Sequence, residues 1–139
     1  MSKISVYTDG GSRGNPGPAA LGVYIEDGNH SELTKIGKKI GEATNNVAEY
    51  SAIIEAFTWL LSNKEKVQME EIHFYMDSLL AYSQITGLYK VKNDRIRDFI
   101  FEIRQKEADL GIPVYYNHVP RERNKKADLM VNLALDNAI

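Results

Sequence analysis

The sequence predicts an α/β fold: a five-stranded mixed sheet of three antiparallel strands and then two parallel strands, flanked by helices. Two observations lead to this prediction. The first third of the chain alternates apolar and polar residues, whereas the remainder alternates between helical and strand-like spacing. A chain of 139 residues with 43% hydrophobic and 26% charged residues also has the size and composition of one globular domain. We therefore expect residues 1–139 to form a single domain.

Three stretches near the start of the chain alternate apolar and polar residues with a period of two, which predicts strands. They are Lys3–Asp9, Ala20–Glu26 and Leu33–Gly41. Between the first two, Gly10–Pro18 is rich in glycine and proline, which predicts a turn. Because short connections join neighbouring antiparallel strands, we expect these three strands to form a meander.

The rest of the chain alternates helices and strands. Apolar residues spaced three and four apart predict one helix from Asn46 to about Leu61, and further helices over Ser78 to about Thr86, Asp94–Leu110 and Asn124–Ala138. Alternation predicts strands at Glu71–Asp77 and Pro113–Val119. The predicted order is βββαβααβα, and strands that are reached through a helical crossover should be parallel.

The composition excludes several classes of site. The chain has no cysteine and three histidines, so disulfides, thiolate zinc sites and a cysteine nucleophile are excluded. A catalytic metal should therefore be a hard cation bound by oxygen atoms. A net charge of −2 argues against nucleic-acid binding by bulk charge alone. Without a long apolar run or a signal-peptide pattern, we expect a cytoplasmic protein with no membrane segment. We also expect a monomer.

Four carboxylates stand at positions that suit a site. Asp9 and Asp77 are each placed at the end of a predicted strand, where ligands of open α/β sheets bind. Glu49 and Asp128 lie near helix starts, where the helix dipole alone would also favour an acid. Carboxylates that are brought together repel one another unless cations compensate for their charge, and divalent ions supply such compensation.

The segments that carry these acids resemble type 1 ribonuclease H. They are YTDGGSRGNPGPAALGVYI (Tyr7–Ile25), TNNVAEYSAIIEA (Thr44–Ala56), FYMDS (Phe74–Ser78) and HVPRERNKKAD (His118–Asp128). The resemblance covers essentially the whole chain in order. It implies a ribonuclease H domain over residues 1–139 that hydrolyses the RNA strand of RNA–DNA hybrids, leaving 5′-phosphate and 3′-hydroxyl ends.

The resemblance also implies roles for the acids. Asp9, Glu49, Asp77 and Asp128 would be catalytic residues that bind two Mg²⁺ ions, for which Mn²⁺ could substitute. Asp9 would bridge the ions, and Asp128 would join it on the ion that activates water. Glu49 and Asp77 would help to hold the ion at the leaving 3′ oxygen.

Three asparagines suit recognition of RNA, because amides both donate and accept hydrogen bonds, as the 2′-hydroxyl does. Asn15, Asn45 and Asn46 match family positions that lie in the minor groove of the hybrid, and Thr44 matches a position that binds a DNA-strand phosphate. Their alternative roles are local: a turn amide for Asn15 and helix N-caps for the others.

His118 and Arg121 are further candidates. His118 lies ten positions before Asp128, the spacing of the family histidine that assists product release. The segment after His118 lacks the glycine that relatives have there. His118 could therefore simply end the last strand, and Arg121 could act near the phosphate instead.

The chain departs from many relatives at Gly87–Asn93, which is too short to hold their basic protrusion. This absence predicts weak, salt-sensitive binding of the hybrid. The main alternative function is a weakly active or inactive nucleic-acid-binding relative. A DNA nuclease of the broader fold is disfavoured by the asparagines, and an actin-like ATPase by the lack of a second lobe in 139 residues.

Overall fold

Residues 2–139, which a computed structural model describes, form one five-stranded sheet and four α-helices. The strands are β1 (Lys3–Ser12), β2 (Gly17–Glu26), β3 (Glu32–Ala43), β4 (Glu71–Met76) and β5 (Val114–His118). The helices are α1 (Asn45–Ser62), α2 (Leu79–Ile85), α3 (Asp94–Leu110) and α4 (Lys125–Leu135), with a 3₁₀ turn at Arg121–Arg123. Within these residues, no helix is both long and apolar enough to cross a membrane.

The strand order across the sheet is β3-β2-β1-β4-β5. β1, β2 and β3 pair antiparallel, whereas β1 with β4 and β4 with β5 pair parallel. This topology confirms the predicted fold class and the predicted order of elements. It places β1, the strand that carries Asp9, at the centre of the sheet.

The first strand is longer than predicted. β1 continues through Gly10 and Gly11 to Ser12, so the predicted turn shrinks to residues 13–16. Gly10 and Gly11 stay in the strand because they pair with β2 and because helices pack directly on them. The prediction that Asp9 ends β1 is therefore wrong, although the parallel pairing of β1 with β4 does stop at Thr8.

Helices cover the two faces of the sheet unequally. Successive strand residues point to opposite faces, and Gly10 faces α1 whereas Gly11 faces Val131 of α4. The main core lies between the sheet and the helices α1 and α3, where Val6, Phe57 and Ile103 are fully buried. A smaller cluster of buried residues lies between α4 and β2.

The starts of α1, α2 and α3 are defined by side-chain caps. The Oγ1 atom of Thr44 accepts a hydrogen bond from Val47 N at 3.2 Å, so α1 begins one residue before the predicted Asn46. Ser78, predicted as the first residue of α2, is instead its N-cap. At the other end of the chain, α4 stops at Leu135, three residues before the predicted end at Ala138, and Asn137 adopts a left-handed backbone with φ of 57°.

Candidate active site

Three of the four predicted carboxylates form one tight cluster. One carboxylate oxygen from each of Asp9, Glu49 and Asp77 lies within 4.8 Å of the other two. Asp9 and Glu49 are only 7% and 8% exposed, and Asp77 is half-buried. Asp9 comes from β1, Asp77 directly follows β4, and Glu49 is the fifth residue of α1.

A glycine sets the distance between Glu49 and Asp9. A Cβ atom on Gly10 would lie 2.2 Å from the carbonyl carbon of Ala48 and 2.3 Å from Glu49 N. Because no side chain fits there, α1 rests its backbone on β1 at the residue after Asp9. This close approach brings Glu49 close to Asp9 of β1 and to Asp77 at the end of β4.

A second glycine places the fourth carboxylate. Gly22 pairs with Asp9 across β1 and β2, and a Cβ on Gly22 would lie 2.2 Å from Ala127 O. The start of α4 therefore lies on the sheet next to Asp9. Asp128, half-buried, lines the same cleft of about 540 Å³ as the other three acids. The structure thus brings together all four acids that the sequence predicted.

Burial and mutual repulsion act together in this cleft. Burial raises the pKa of Asp9 to about 7, helped by the negative charges of Asp77 and Asp128 and by a side-chain hydrogen bond with Asp128. Burial raises the pKa of Glu49 well above its usual range, helped by Asp9 and Asp77. Buried carboxylate oxygens in close contact fit a hard divalent cation, whose charge would offset both the repulsion and the desolvation.

The side chains of Asn15 and Asn45 tie the β1–β2 turn to the start of α1. Ser12 N donates to Asn45 Oδ1 at 2.9 Å, and Asn45 N donates to Asn15 Oδ1 at 2.9 Å. Both residues are exposed beside the acidic cleft. Because these bonds engage the amide oxygens, contacts from these side chains to a substrate would fall mainly to their Nδ2 groups.

Asn46 contributes a buried hydrogen-bond acceptor. Its Nδ2 donates to Gln84 Oε1 at 3.4 Å, a long bond, and its Oδ1 is buried without a hydrogen-bond partner among residues 2–139. Gln84 also accepts from Tyr50 Oη at 3.1 Å. The N-cap of α1 is Thr44, so neither Asn45 nor Asn46 has the capping role that the sequence left open.

His118 and Arg121 lie on either side of a short connection at this edge of the sheet. His118 is the last residue of β5 and is exposed, and its Nε2 donates to the backbone oxygen of Asp77 at 3.2 Å. Arg121 opens the 3₁₀ turn and lines the cleft with the four acids. His118 thus contacts the backbone of one acid, whereas Arg121 lines the cleft that holds all four.

Three further residues lie near the site without a role assigned from the sequence, although Asn124 stands in the segment His118–Asp128 that resembles the family. Asn124 is fully buried, and its Nδ2 donates to Thr8 O at 2.9 Å and to Asp77 Oδ2 at 3.2 Å, which orients that carboxylate. Gln84, 38 positions after Asn46, orients that side chain by accepting a hydrogen bond from its Nδ2. Arg13 lines the acidic cleft. A glycine-flanked turn marked the segment around Arg13, but no local pattern marks Gln84.

A family model described as RNase H matches residues 1–135. The chain belongs to the ribonuclease H family. This membership agrees with the four carboxylates in the cleft and with the resemblance of the four segments. The family assignment holds for almost the whole length of the chain.

Curated relatives within the ribonuclease H family include longer proteins. The chain is 37% identical over 137 residues to a protein of Halobacterium salinarum named ribonuclease HI, covering 98% of this chain and 66% of that protein. It is 39% identical to a bifunctional protein of Mycobacterium tuberculosis, covering 98% of this chain and 36% of that protein. The chain thus spans less than two thirds of the length of these relatives.

Solved structures of the ribonuclease H family superpose over nearly the whole chain. RNase H1 from Halobacterium salinarum has a TM-score of 0.89 at 35% identity and covers 97% of this chain and 98% of its own. LC11-RNase H1, from a compost metagenome, was crystallised in complex with RNA/DNA hybrid and has a TM-score of 0.91 at 41% identity. That comparison covers 97% of this chain and 98% of the LC11 chain.

Proposed function

We propose that this chain is an endoribonuclease that hydrolyses the RNA strand of RNA–DNA hybrids and leaves 5′-phosphate and 3′-hydroxyl ends. The observation that carries the proposal is the convergence of four carboxylates in one cleft, beside three asparagines, in a chain of the ribonuclease H family. Two comparisons support it. A relative at 37% identity is named ribonuclease HI, and LC11-RNase H1 is known in complex with a hybrid.

The proposed cofactor is a pair of Mg²⁺ ions, for which Mn²⁺ could substitute. Asp9, Glu49, Asp77 and Asp128 would hold the ions, since their oxygens are hard ligands and Asp9 and Glu49 have raised pKa values that a cation would lower. When bound, two such ions would stabilise the charge on the attacking and leaving oxygens of a phosphodiester. The protein would supply a rigid ligand set, because helix α1 rests on Gly10 and α4 on Gly22.

Discrimination of RNA from DNA must come from groups that contact the sugar, because the four acids and the ions that they would hold act only on the phosphate. Asn46 Oδ1, buried and unpaired among residues 2–139, would accept a hydrogen bond from a 2′-hydroxyl once the side chain turns towards the minor groove. The Nδ2 groups of Asn15 and Asn45 would donate to sugar or base oxygens in the minor groove. Thr44, next to these residues, would contact a phosphate of the DNA strand.

Arg121 and His118 would act on the phosphate of the cut strand and on release of the product. Arg121 lines the cleft and would bind a phosphate of the cut strand. His118 lies at the end of β5 against the backbone of Asp77, so its proposed role is to assist release of the product at that edge.

Cleavage of labelled duplexes tests the proposed function. The protein should cut the RNA strand of an RNA–DNA hybrid in Mg²⁺, should leave matched DNA and RNA duplexes intact, and should stop in EDTA. A hybrid that is bound without being cut would favour the alternative, a weakly active or inactive nucleic-acid-binding relative. Cutting in EDTA would contradict the metal site.

Three further statements stay predictions from the sequence. We propose that residues 1–139 form a single ribonuclease H domain, which is supported by the one continuous sheet of residues 2–139. We also propose a monomeric state and a cytoplasmic location. Analytical ultracentrifugation and fractionation of cells would test them.

A further inference from the structure

We infer that Arg13 binds a backbone phosphate of the RNA strand at the rim of the active site. When no nucleic acid is bound, the guanidinium of Arg13 forms an ion pair with Asp136 instead. This inference rests on the proposed function. Arg13 begins the turn of residues 13–16 and lines the cleft that the four carboxylates form. Its Nη2 lies 2.6 Å from Asp136 Oδ1, just beyond the end of α4.

The ion pair is not needed to hold the turn or the helix. Both side chains are about half exposed, at 49% for Arg13 and 55% for Asp136, and exposed ion pairs contribute little to stability. The turn is closed by Arg13 N donating to Pro18 O at 2.8 Å and is tied to α1 through the Asn15 side chain. Helix α4 is positioned by its contact with Gly22.

The charges that line the cleft indicate a role for Arg13. Among the described residues that line the cleft, four are acids, and the cations are Arg13 and Arg121. The proposed Mg²⁺ ions would offset the four carboxylates, but the phosphates on either side of the cut one would still need cations from the protein. Arg121 comes from the connection before α4, whereas Arg13 comes from the β1–β2 turn, so the two cations reach the cleft from separate segments.

The chemistry of the pair points to a phosphate. A guanidinium binds carboxylate and phosphate with the same two-pronged geometry, so a phosphate oxygen pair could replace the carboxylate of Asp136. Arg13 is two residues from Asn15, whose side chain is bonded to the backbone of Asn45. A strand whose sugars meet these asparagines would therefore carry a phosphate within reach of Arg13.

Two substitutions that break the same ion pair separate this role from a structural one. Arg13→Ala removes the phosphate ligand, whereas Asp136→Asn removes only its competitor. For Arg13→Ala we expect the Kd for the hybrid and the KM to rise roughly tenfold, with kcat within about twofold of wild type. For Asp136→Asn we expect both constants to fall about two- to threefold.

The salt dependence provides the second readout. Each lost phosphate contact should lower the slope of log Kd against log salt by about one, so Arg13→Ala should have a shallower slope than wild type. Arg13→Lys should keep most of the slope but lose part of the affinity, because lysine binds as a point charge. Lys66→Ala serves as the control for lost charge, since it lies beyond the far end of α1, about 27 Å along that 18-residue helix.

The measurements are hybrid binding by fluorescence anisotropy and steady-state cleavage, each between about 50 and 200 mM salt. Equal losses in Arg13→Ala and Asp136→Asn, or an unchanged slope in Arg13→Ala, would overturn the inference while wild-type cleavage left the proposed function standing. A wild-type protein that cuts no hybrid would instead contradict the proposed function. The binding experiment would still report on Arg13 in that case.

Discussion

At Asp9, burial and two neighbouring negative charges act on one carboxylate in the same direction. Its pKa rises to about 7, and that of Glu49 rises well above its usual range, although a ligand for cations must be ionised. The cleft therefore keeps its acids in a state that is costly without a metal. This cost is characteristic of sites selected for chemistry rather than for stability.

Removing a single charge from this cluster should stop catalysis while preserving the fold. The variants are Asp9→Asn, Glu49→Gln, Asp77→Asn and Asp128→Asn. Each keeps the side-chain shape but loses a ligand charge, so we expect kcat to fall on the order of 10²–10³-fold or more. Glu65→Gln, an exposed acid after α1, should cleave like the wild type. Near-normal cleavage by Asp9→Asn or Asp77→Asn would refute the assignment.

The role of the asparagines in recognising the ribose is tested by changing the protein and the substrate together. An amide that the bound hybrid buries without a partner costs about 1–3 kcal/mol. Two or three such losses that total about 3–6 kcal/mol correspond to roughly 10²–10⁴-fold preference for RNA. Replacing Asn45 and Asn46 by Ala should weaken hybrid cleavage, mainly through binding. A strand with 2′-deoxy sugars opposite them should show the same loss in the wild type and little further loss in the double variant.

A helix-cap variant provides the control for this measurement. Asn93 Oδ1 accepts from Ile96 N at 3.1 Å and caps α3, so Asn93→Ala should lose about 1 kcal/mol of stability and keep the preference for RNA. If the double variant at Asn45 and Asn46 behaves in the same way, or if its loss multiplies fully with that of the deoxy strand, these asparagines support α1 and do not read the ribose.

At the scale of elements, the contact between α1 and β1 positions Glu49 beside Asp9. Gly10→Ala would place a methyl group 2.2 Å from the Ala48 carbonyl carbon, so α1 must move away and carry Glu49 with it. We expect the variant to lose about 1–3 kcal/mol or more of stability and most of its activity. Urea unfolding and cleavage of the hybrid would measure the two effects.

Gly28 offers a matched substitution away from this contact. A Cβ on Gly28 would lie 3.7 Å from Lys3 O, which is ordinary van der Waals contact. Gly28→Ala should therefore be close to neutral in both measurements. A Gly10→Ala variant that is as stable and active as Gly28→Ala would show that α1 is not positioned by the missing side chain.

The elements also show what a sequence can reveal. Local spacing was enough to locate β4, α3 and β5 within one or two residues, because apolar periodicity reflects which face is buried. It misplaced the end of β1, since Gly10 and Gly11 were interpreted as turn residues. Gly10 is required because the backbone of α1 at Ala48 packs on it, and Gly11 lies against Val131 of α4. No local pattern records such contacts.

For the site, the four acids could be predicted because each stands in a recognisable segment. The hydrogen bonds that orient Asp77 and Asn46 could not be predicted. Asn124 reaches Asp77 across 47 positions, and Gln84 reaches Asn46 across 38, so both contacts exist only after the chain has folded. The pairing of Arg13 with Asp136 likewise joins the first turn to the end of α4.

At the scale of the whole molecule, the acidic cleft makes stability depend on pH and on metal. Asp9 has a folded-state pKa of about 7 against 3.8 for an ordinary aspartate, so the folded state binds its proton more tightly than the unfolded state does. Stability from this group is fully present below about pH 4 and is lost as pH rises through about 7. Glu49 adds a change of the same sign.

Comparing wild type with Asp9→Asn isolates this effect from the other titrating groups. In EDTA, we expect Asp9→Asn to be more stable than wild type at pH 8 by a few kcal/mol, and the difference to shrink towards pH 4, because one pKa unit corresponds to about 1.4 kcal/mol. Mg²⁺ should stabilise wild type at pH 8 by about 2.7 kcal/mol at 100 times its Kd, and Asp9→Asn by much less. Thermal unfolding of both proteins, with Glu65→Gln as the charge control, measures these differences. If the difference in unfolding free energy between wild type and Asp9→Asn stayed constant from pH 4 to pH 8, the pKa of Asp9 would not be raised in the folded protein. This conclusion would hold whatever the variant does to cleavage.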